Sequence, residues 1–139
     1  MFDIAGRSVD DRAWEDSHAP SVGEELLVPS VIYAPAIRAL IDAVDVHAVA
    51  HITGGGLPGN LNRVLGSNHD ALVDPTTWEW PRIFSELQQI GSVSTDEMRK
   101  VFNLGVGMVV AVPADQAHRA IDTLRTAGHR ANVVGEVVK

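Results

Sequence analysis

Segments of strand-like and helix-like patterning alternate along the chain between residues 46 and 138. The apolar, β-branched runs at 46–52 and 106–112 are typical of buried strands, and 70–74 is a shorter candidate. The segment 114–127 is the most regular helix candidate, because its apolar residues recur every three or four positions on one face: Ala117, Ala120, Ile121 and Leu124. This alternation predicts an α/β domain in which helices cover at least one face of a sheet.

The 139 residues are enough for one domain with a substantial core. Gly6, Pro20 and Gly23 interrupt any regular pattern near the start, so we expect residues 1–22 to form a lead-in or linker and residues 23–139 to form the domain. Within the domain, 25–28 is a short extended candidate, and a helix with an apolar stripe over 37–44 follows it. The apolar start at Met1, Phe2 and Ile4 suggests a chain that continues upstream.

Composition excludes several classes of protein. The chain has no cysteine, which rules out a disulfide scaffold, a thiolate metal site and a cysteine nucleophile. It has 11 basic and 18 acidic residues and a net charge of −7, so we expect no nucleic-acid or membrane partner. No apolar run approaches the roughly 20 residues of a membrane span, and the charged N-terminal segment is unlike a signal peptide. We therefore expect a cytoplasmic protein.

Three consecutive glycines, Gly54, Gly55 and Gly56, follow Thr53 where a predicted strand gives way to a predicted helix. Glycines at such a junction let backbone N–H groups approach an anion, and the start of the helix adds a positive dipole. This favours a phosphate-binding loop. A tight turn that requires positive φ explains the same glycines without a ligand. The spacing matches neither a Walker loop nor the dinucleotide-binding fingerprint.

Several polar residues near the glycines are candidate ligands of a substrate. Asn60 and Arg63 share one face of the predicted helix, where arginine suits phosphate recognition, although a solvated surface arginine is an equal alternative. His51 is a candidate proton carrier or hydrogen-bond donor, or simply a histidine at a strand end. His47 and His51 lie too far apart on a strand to share a metal ion, and we expect no metal site. Asn103 lies in a second glycine-containing turn, where it either contacts a ligand or shapes the chain.

Five runs of this sequence, in the same order, resemble the C-terminal domain of the phosphoribosylformylglycinamidine cyclo-ligase family, also called aminoimidazole ribonucleotide synthetase. The runs are 23–29, 46–56, 60–65, 78–81 and 102–108. The resemblance implies a layered α/β/α domain with a mixed sheet, partly ferredoxin-like. The usual chain of that family also has an N-terminal domain, which carries the acidic metal ligands and through which the protein forms a homodimer. We therefore expect this chain to be a fragment of such an enzyme.

The resemblance implies an ATP-dependent ring closure of formylglycinamidine ribonucleotide in purine biosynthesis. ATP and Mg²⁺ serve the full-length enzyme, and we expect this domain alone to hold neither. The roles that the resemblance suggests are a catalytic one for His51 and a substrate- or phosphate-binding one for the others, namely Thr53, Gly54, Gly55, Gly56, Asn60, Arg63 and Asn103. Without the N-terminal domain we expect negligible turnover and weak residual affinity for the phosphate of the ribonucleotide.

Two other functions fit parts of the pattern. One is a non-catalytic module that binds nucleotides or a protein partner, which the same glycine turn would serve. The other is a related ATP-dependent enzyme of the same superfamily, such as formylglycinamidine synthase or selenophosphate synthetase. The runs at 78–81 and 102–103 favour the cyclo-ligase over these relatives.

Overall fold

The computed structural model describes residues 5–139, so the apolar start at Met1, Phe2 and Ile4 lies outside the described residues. The helices of this part are α1 (Val22–Leu26), α2 (Ala34–Ala43), α3 (Gly56–Val64), α4 (Arg82–Gly91), α5 (Thr95–Val101) and α6 (Ala117–Thr126), and a 3₁₀ turn (Ala114–Gln116) leads directly into α6. The strands are β1 (Ala48–His51), β2 (Asp70–Val73), β3 (Met108–Ala111) and β4 (Gly135–Val138).

Strands β1 and β3 form a small antiparallel sheet with helices on both faces, in register from Ala48–Ala111 to His51–Met108. Successive strand residues point to opposite faces. On one face, Ala50 and Ile52 join the apolar side of α3 in a first core. On the other, Val110 packs with α2 and α6 in a second core. The arrangement is therefore layered, with helices above and below the sheet, as expected from the alternation of elements.

A second antiparallel sheet joins β2 to β4, and Ala71 and Val73 of β2 pack against the first core. The chain thus contains small sheets and helices in one mixed architecture, which confirms the predicted combination of helices and strands, in the form of an α+β domain. The strand pairing differs in detail from the expected mixed sheet, because both described sheets are purely antiparallel. Each pair joins strands far apart in sequence, and the direction of such a pairing depends on the path of the intervening chain rather than on local patterning.

The predicted extended segment at 25–28 is wrong in its first half, since α1 occupies Val22–Leu26. The cause is a capping box: the Ser21 side chain accepts from the Glu24 backbone N–H, and the Glu24 carboxylate accepts from the Ser21 backbone N–H. This reciprocal pair satisfies two N–H groups that otherwise have no partner at a helix start.

The described part of the predicted lead-in folds back on itself. Arg12 and Ser21 form an isolated β-bridge, and Ala13 and Val22 are almost fully buried. Further along, the Arg82 guanidinium lies 4.7 Å from the centre of a Trp14 ring, a cation–π contact that attaches this segment to α4. The division into residues 1–22 and 23–139 stays a prediction. Among the described helices, none has the length and apolarity needed to cross a bilayer.

Candidate functional site

The glycine loop, residues 53–56, connects β1 to α3 at one end of the first core. Gly55 and Gly56 have φ values of 98° and 59°, a region that residues with a side chain rarely adopt. The tight-turn explanation of the glycines therefore holds at these two positions. It does not exclude a ligand, because Thr53, Gly54 and Gly55 are all exposed to solvent.

Asn60 lies beneath this loop and is 4% exposed. Its Nδ2 donates to the Gly56 carbonyl at 2.7 Å and to the Thr53 and Gly54 carbonyls at 3.3 Å. Its Oδ1 faces the Thr53 hydroxyl at 3.4 Å. The polar atoms of Asn60 are thus engaged by the loop, and the role that these contacts support is positioning of the loop rather than direct contact with a ligand.

The contacts of Asn60 determine where two backbone N–H groups point. In a trans peptide unit the N–H is directed opposite to the C=O, and no peptide bond in the described chain is cis. Since Asn60 holds the Thr53 and Gly54 carbonyls inward, the N–H groups of Gly54 and Gly55 point away from the core. Within residues 5–139 neither N–H has a hydrogen-bond partner. Both are therefore available to an anion from solvent.

Gly56 is placed differently from the other two glycines. It is buried, and its N–H donates to the Thr53 carbonyl at 3.2 Å. A Cβ on this residue would lie 2.0 Å from the Arg99 carbonyl oxygen and 3.1 Å from the Phe102 carbonyl oxygen. Gly56 therefore allows α3 to pack closely on the end of α5, and its backbone N–H is already used inside the loop.

Arg63 brings a positive charge to the exposed side of the loop. Its Nη1 donates to Asn60 Oδ1 at 3.2 Å, and its Nη2 lies 4.0 Å from the position that a Cβ on Gly55 would take. Among the described residues, no carboxylate forms an ion pair with it. Three residues predicted for one site, Gly55, Asn60 and Arg63, thus lie close together, and helical spacing predicts this for Asn60 and Arg63.

His51 is exposed at the end of β1, two residues before the loop begins. Its ring packs edge-on against Tyr33, with centroids 6.2 Å apart and an interplanar angle of 63°. Tyr33 also contacts the ring of His129, with centroids 5.7 Å apart. Sequence reasoning assigned neither Tyr33 nor His129 to the site, because no local pattern indicates that residues so far apart in the chain share one surface.

Asn103 lies in the turn that precedes β3. Its Oδ1 accepts from the Gly105 N–H at 3.1 Å, and its carbonyl accepts from the Val106 N–H at 2.9 Å. Leu104 and Gly105 both have positive φ, and the Trp78 indole N–H donates to the Leu104 carbonyl. These bonds support the structural alternative for Asn103. A contact between its amide nitrogen and a ligand stays a prediction.

A metal ion would need a cluster of carboxylate or imidazole ligands. In the described part of the chain, no three His, Cys, Asp or Glu side chains come together to form one. The predicted ligands around the glycine loop include no carboxylate and bring a guanidinium cation, and this set does not fit Mg²⁺, which proteins usually bind through one or two carboxylates. The same donors suit a phosphate group.

Within residues 5–139, this α+β domain places two outward amides and an arginine without an ion-pair partner beside a glycine loop, and such donors can hold an anion. The comparison with protein families makes the class specific. The family model described as "AIR synthase related protein, C-terminal domain" matches residues 3–139. The chain therefore belongs to this family, whose members are ATP-using enzymes of the AIR synthase type.

Proposed function

We propose that this chain is the C-terminal domain of the ATP-dependent cyclo-ligase that converts formylglycinamidine ribonucleotide to aminoimidazole ribonucleotide in the cytoplasm. The observation that carries the proposal is family membership over residues 3–139. It is supported by a glycine loop that offers a cation and two amides without a hydrogen-bond partner among residues 5–139. The domain contributes one wall of an active site, and an N-terminal domain of the same enzyme contributes the ATP and metal contacts.

In the proposed reaction ATP transfers its terminal phosphoryl group to the formyl-amide oxygen of the substrate. An internal nitrogen then attacks the activated carbon, and phosphate leaves as the five-membered ring closes. Negative charge on phosphate oxygens must be held by oriented donors. In this proposal the Gly54 and Gly55 N–H groups and the Arg63 guanidinium hold a phosphate, and Thr53 adds a hydroxyl. His51 is the proposed proton carrier, since imidazole is the side chain most often used for proton transfer.

Calorimetric titration tests the anion-binding part of this proposal. We expect the chain to bind the ribonucleotide weakly and to bind inorganic phosphate more weakly still, with no turnover when ATP is added. Complete cyclisation by this chain alone would contradict the division of the active site between two domains. Affinity for ATP without affinity for the ribonucleotide would instead favour a nucleotide-binding module.

The variant Arg63→Ala distinguishes a specific phosphate site from a general attraction between anions and positively charged side chains. Losing a hydrogen bond to a charged group costs about 1.5–3 kcal/mol, and an exposed site lies at the lower end, so we expect affinity for the ribonucleotide to fall about tenfold. Arg119→Ala is a matched control, since Arg119 is an exposed arginine on α6, which packs in the second core rather than the first. Equal losses in the two variants would show that Arg63 has no particular role.

A further inference from the structure

Tyr33, at the start of α2, contacts two histidine rings. Its backbone is held by the first hydrogen bond of that helix, from the Ile37 N–H to the Tyr33 carbonyl at 3.0 Å. The ring is half-buried, and its centroid lies 6.2 Å from that of His51 and 5.7 Å from that of His129. Both distances fall in the range in which aromatic rings interact favourably.

The hydroxyl end of Tyr33 lies close to the backbone of Gly107. A Cβ on Gly107 would lie 2.0 Å from the Tyr33 hydroxyl oxygen and 2.8 Å from its Cζ, so only glycine leaves room for the ring. The Gly107 carbonyl accepts from the Ile52 N–H at 2.9 Å, directly after His51. Tyr33 thus lies against the backbone segment that is hydrogen-bonded to the strand end carrying His51.

We propose that Tyr33 is a positioning residue, which restricts the ring of His51 to one orientation beside the glycine loop. An edge-on aromatic contact favours one arrangement by about two- to twelvefold, which corresponds to about 0.5–1.5 kcal/mol. His51 is otherwise exposed on the strand end, so its ring would be free to rotate without this contact. That this restraint aids catalysis rests on the proposed proton-carrier role of His51. That Tyr33 restrains the His51 ring does not depend on that role.

The experiment records the imidazole carbon–hydrogen resonances of His51 by NMR in the 139-residue chain. In Tyr33→Leu we expect these resonances to move, since the neighbouring ring is gone, and the ring of His51 to become more mobile on the fast timescale. Tyr33→Phe keeps the ring and should leave both observables close to wild type. Gly107→Ala should displace the Tyr33 ring and reproduce the effect of Tyr33→Leu, and the double variant should add nothing further.

Phe84→Leu is the matched control, because Phe84 is another half-buried ring that contacts one aromatic partner, Phe102, at 5.6 Å. It should lower stability without moving the His51 resonances. Unchanged His51 resonances and mobility in both Tyr33→Leu and Gly107→Ala would overturn the proposal, and so would equal changes in Phe84→Leu. If Tyr33→Leu does not fold, Gly107→Ala still decides between these results.

A second readout tests the link to function. Titration with the ribonucleotide should show about two- to tenfold weaker binding in Tyr33→Leu than in Tyr33→Phe, since binding must then order one more side chain. If wild type binds no ribonucleotide, the proposed function fails, while the His51 resonances still decide whether Tyr33 positions that ring. If wild type binds and the two variants bind equally, the positioning role does not extend to the ligand.

Discussion

Gly56→Ala is the substitution for which the structure predicts the largest effect at the glycine loop. An L-residue held at φ near 59° costs about 1–2 kcal/mol, and overpacking of a buried site costs about 1–3 kcal/mol more. The clash involves the Arg99 carbonyl, 2.0 Å from the new Cβ, and backbone cannot rotate away as a flexible side chain can. We therefore expect the free energy of unfolding to fall by about 2–5 kcal/mol.

Urea denaturation followed by circular dichroism measures this loss. With an m-value of about 2 kcal/mol/M, the midpoint should fall by about 1–2.5 M. Gly54→Ala is the control, because a Cβ at Gly54 meets nothing within 4 Å and its φ is not positive. It should change stability by less than about 0.5 kcal/mol. A midpoint for Gly56→Ala as high as that of Gly54→Ala would refute the close packing of α3 on α5.

Two further predictions concern stability. Asn60→Ala should lower the free energy of unfolding by about 1–3 kcal/mol and shift the Thr53–Gly55 amide resonances, because it leaves the loop carbonyls without their buried donor; an unchanged urea midpoint would contradict this. The Thr76 hydroxyl and then its N–H hold the pKa of Asp74 below its ordinary 3.8, and the Ser21 N–H and side chain hold the pKa of Glu24 below its ordinary 4.5. The two carboxylates contribute fully to the free energy of unfolding above these ordinary pKa values, and the contribution is lost as pH falls through the lower folded-state pKa. Stability should therefore depend less steeply on acid pH in Asp74→Asn than in wild type. Urea midpoints measured between pH 2 and pH 6 in both proteins test this.

Local signals in the sequence predict much of the fold. The apolar stripes of α2 and α6 and the β-branched runs at β1 and β3 act over a few residues, and each forms the element expected. Ser21 and Glu24 carry an equally local signal, which reasoning from apolar residues alone overlooked. The partners of β1 and β2 are not predictable in this way, because strand pairing depends on contacts more than 50 residues apart.

The same distinction applies to the site. The loop glycines and Arg63 are close in sequence, so strand–loop–helix geometry brings them together as predicted. Asn60 illustrates the limit: helical spacing places it on the face of Arg63, but only packing shows that it is buried beneath the loop and already bonded there. The contact of Tyr33 with His51 depends on how α2 is placed beside the sheet, and no pattern in the sequence specifies that placement.

The central claim is that the outward N–H groups of Gly54 and Gly55 bind an anion together with Arg63. A titration of the ¹⁵N-labelled chain with inorganic phosphate, followed by NMR at constant ionic strength, tests it directly. The account predicts that the Gly54 and Gly55 amide resonances shift along one saturating curve, and that Arg63→Ala weakens this response while Arg119→Ala preserves it. Resonances that stay fixed at Gly54 and Gly55 up to high phosphate concentration would contradict it.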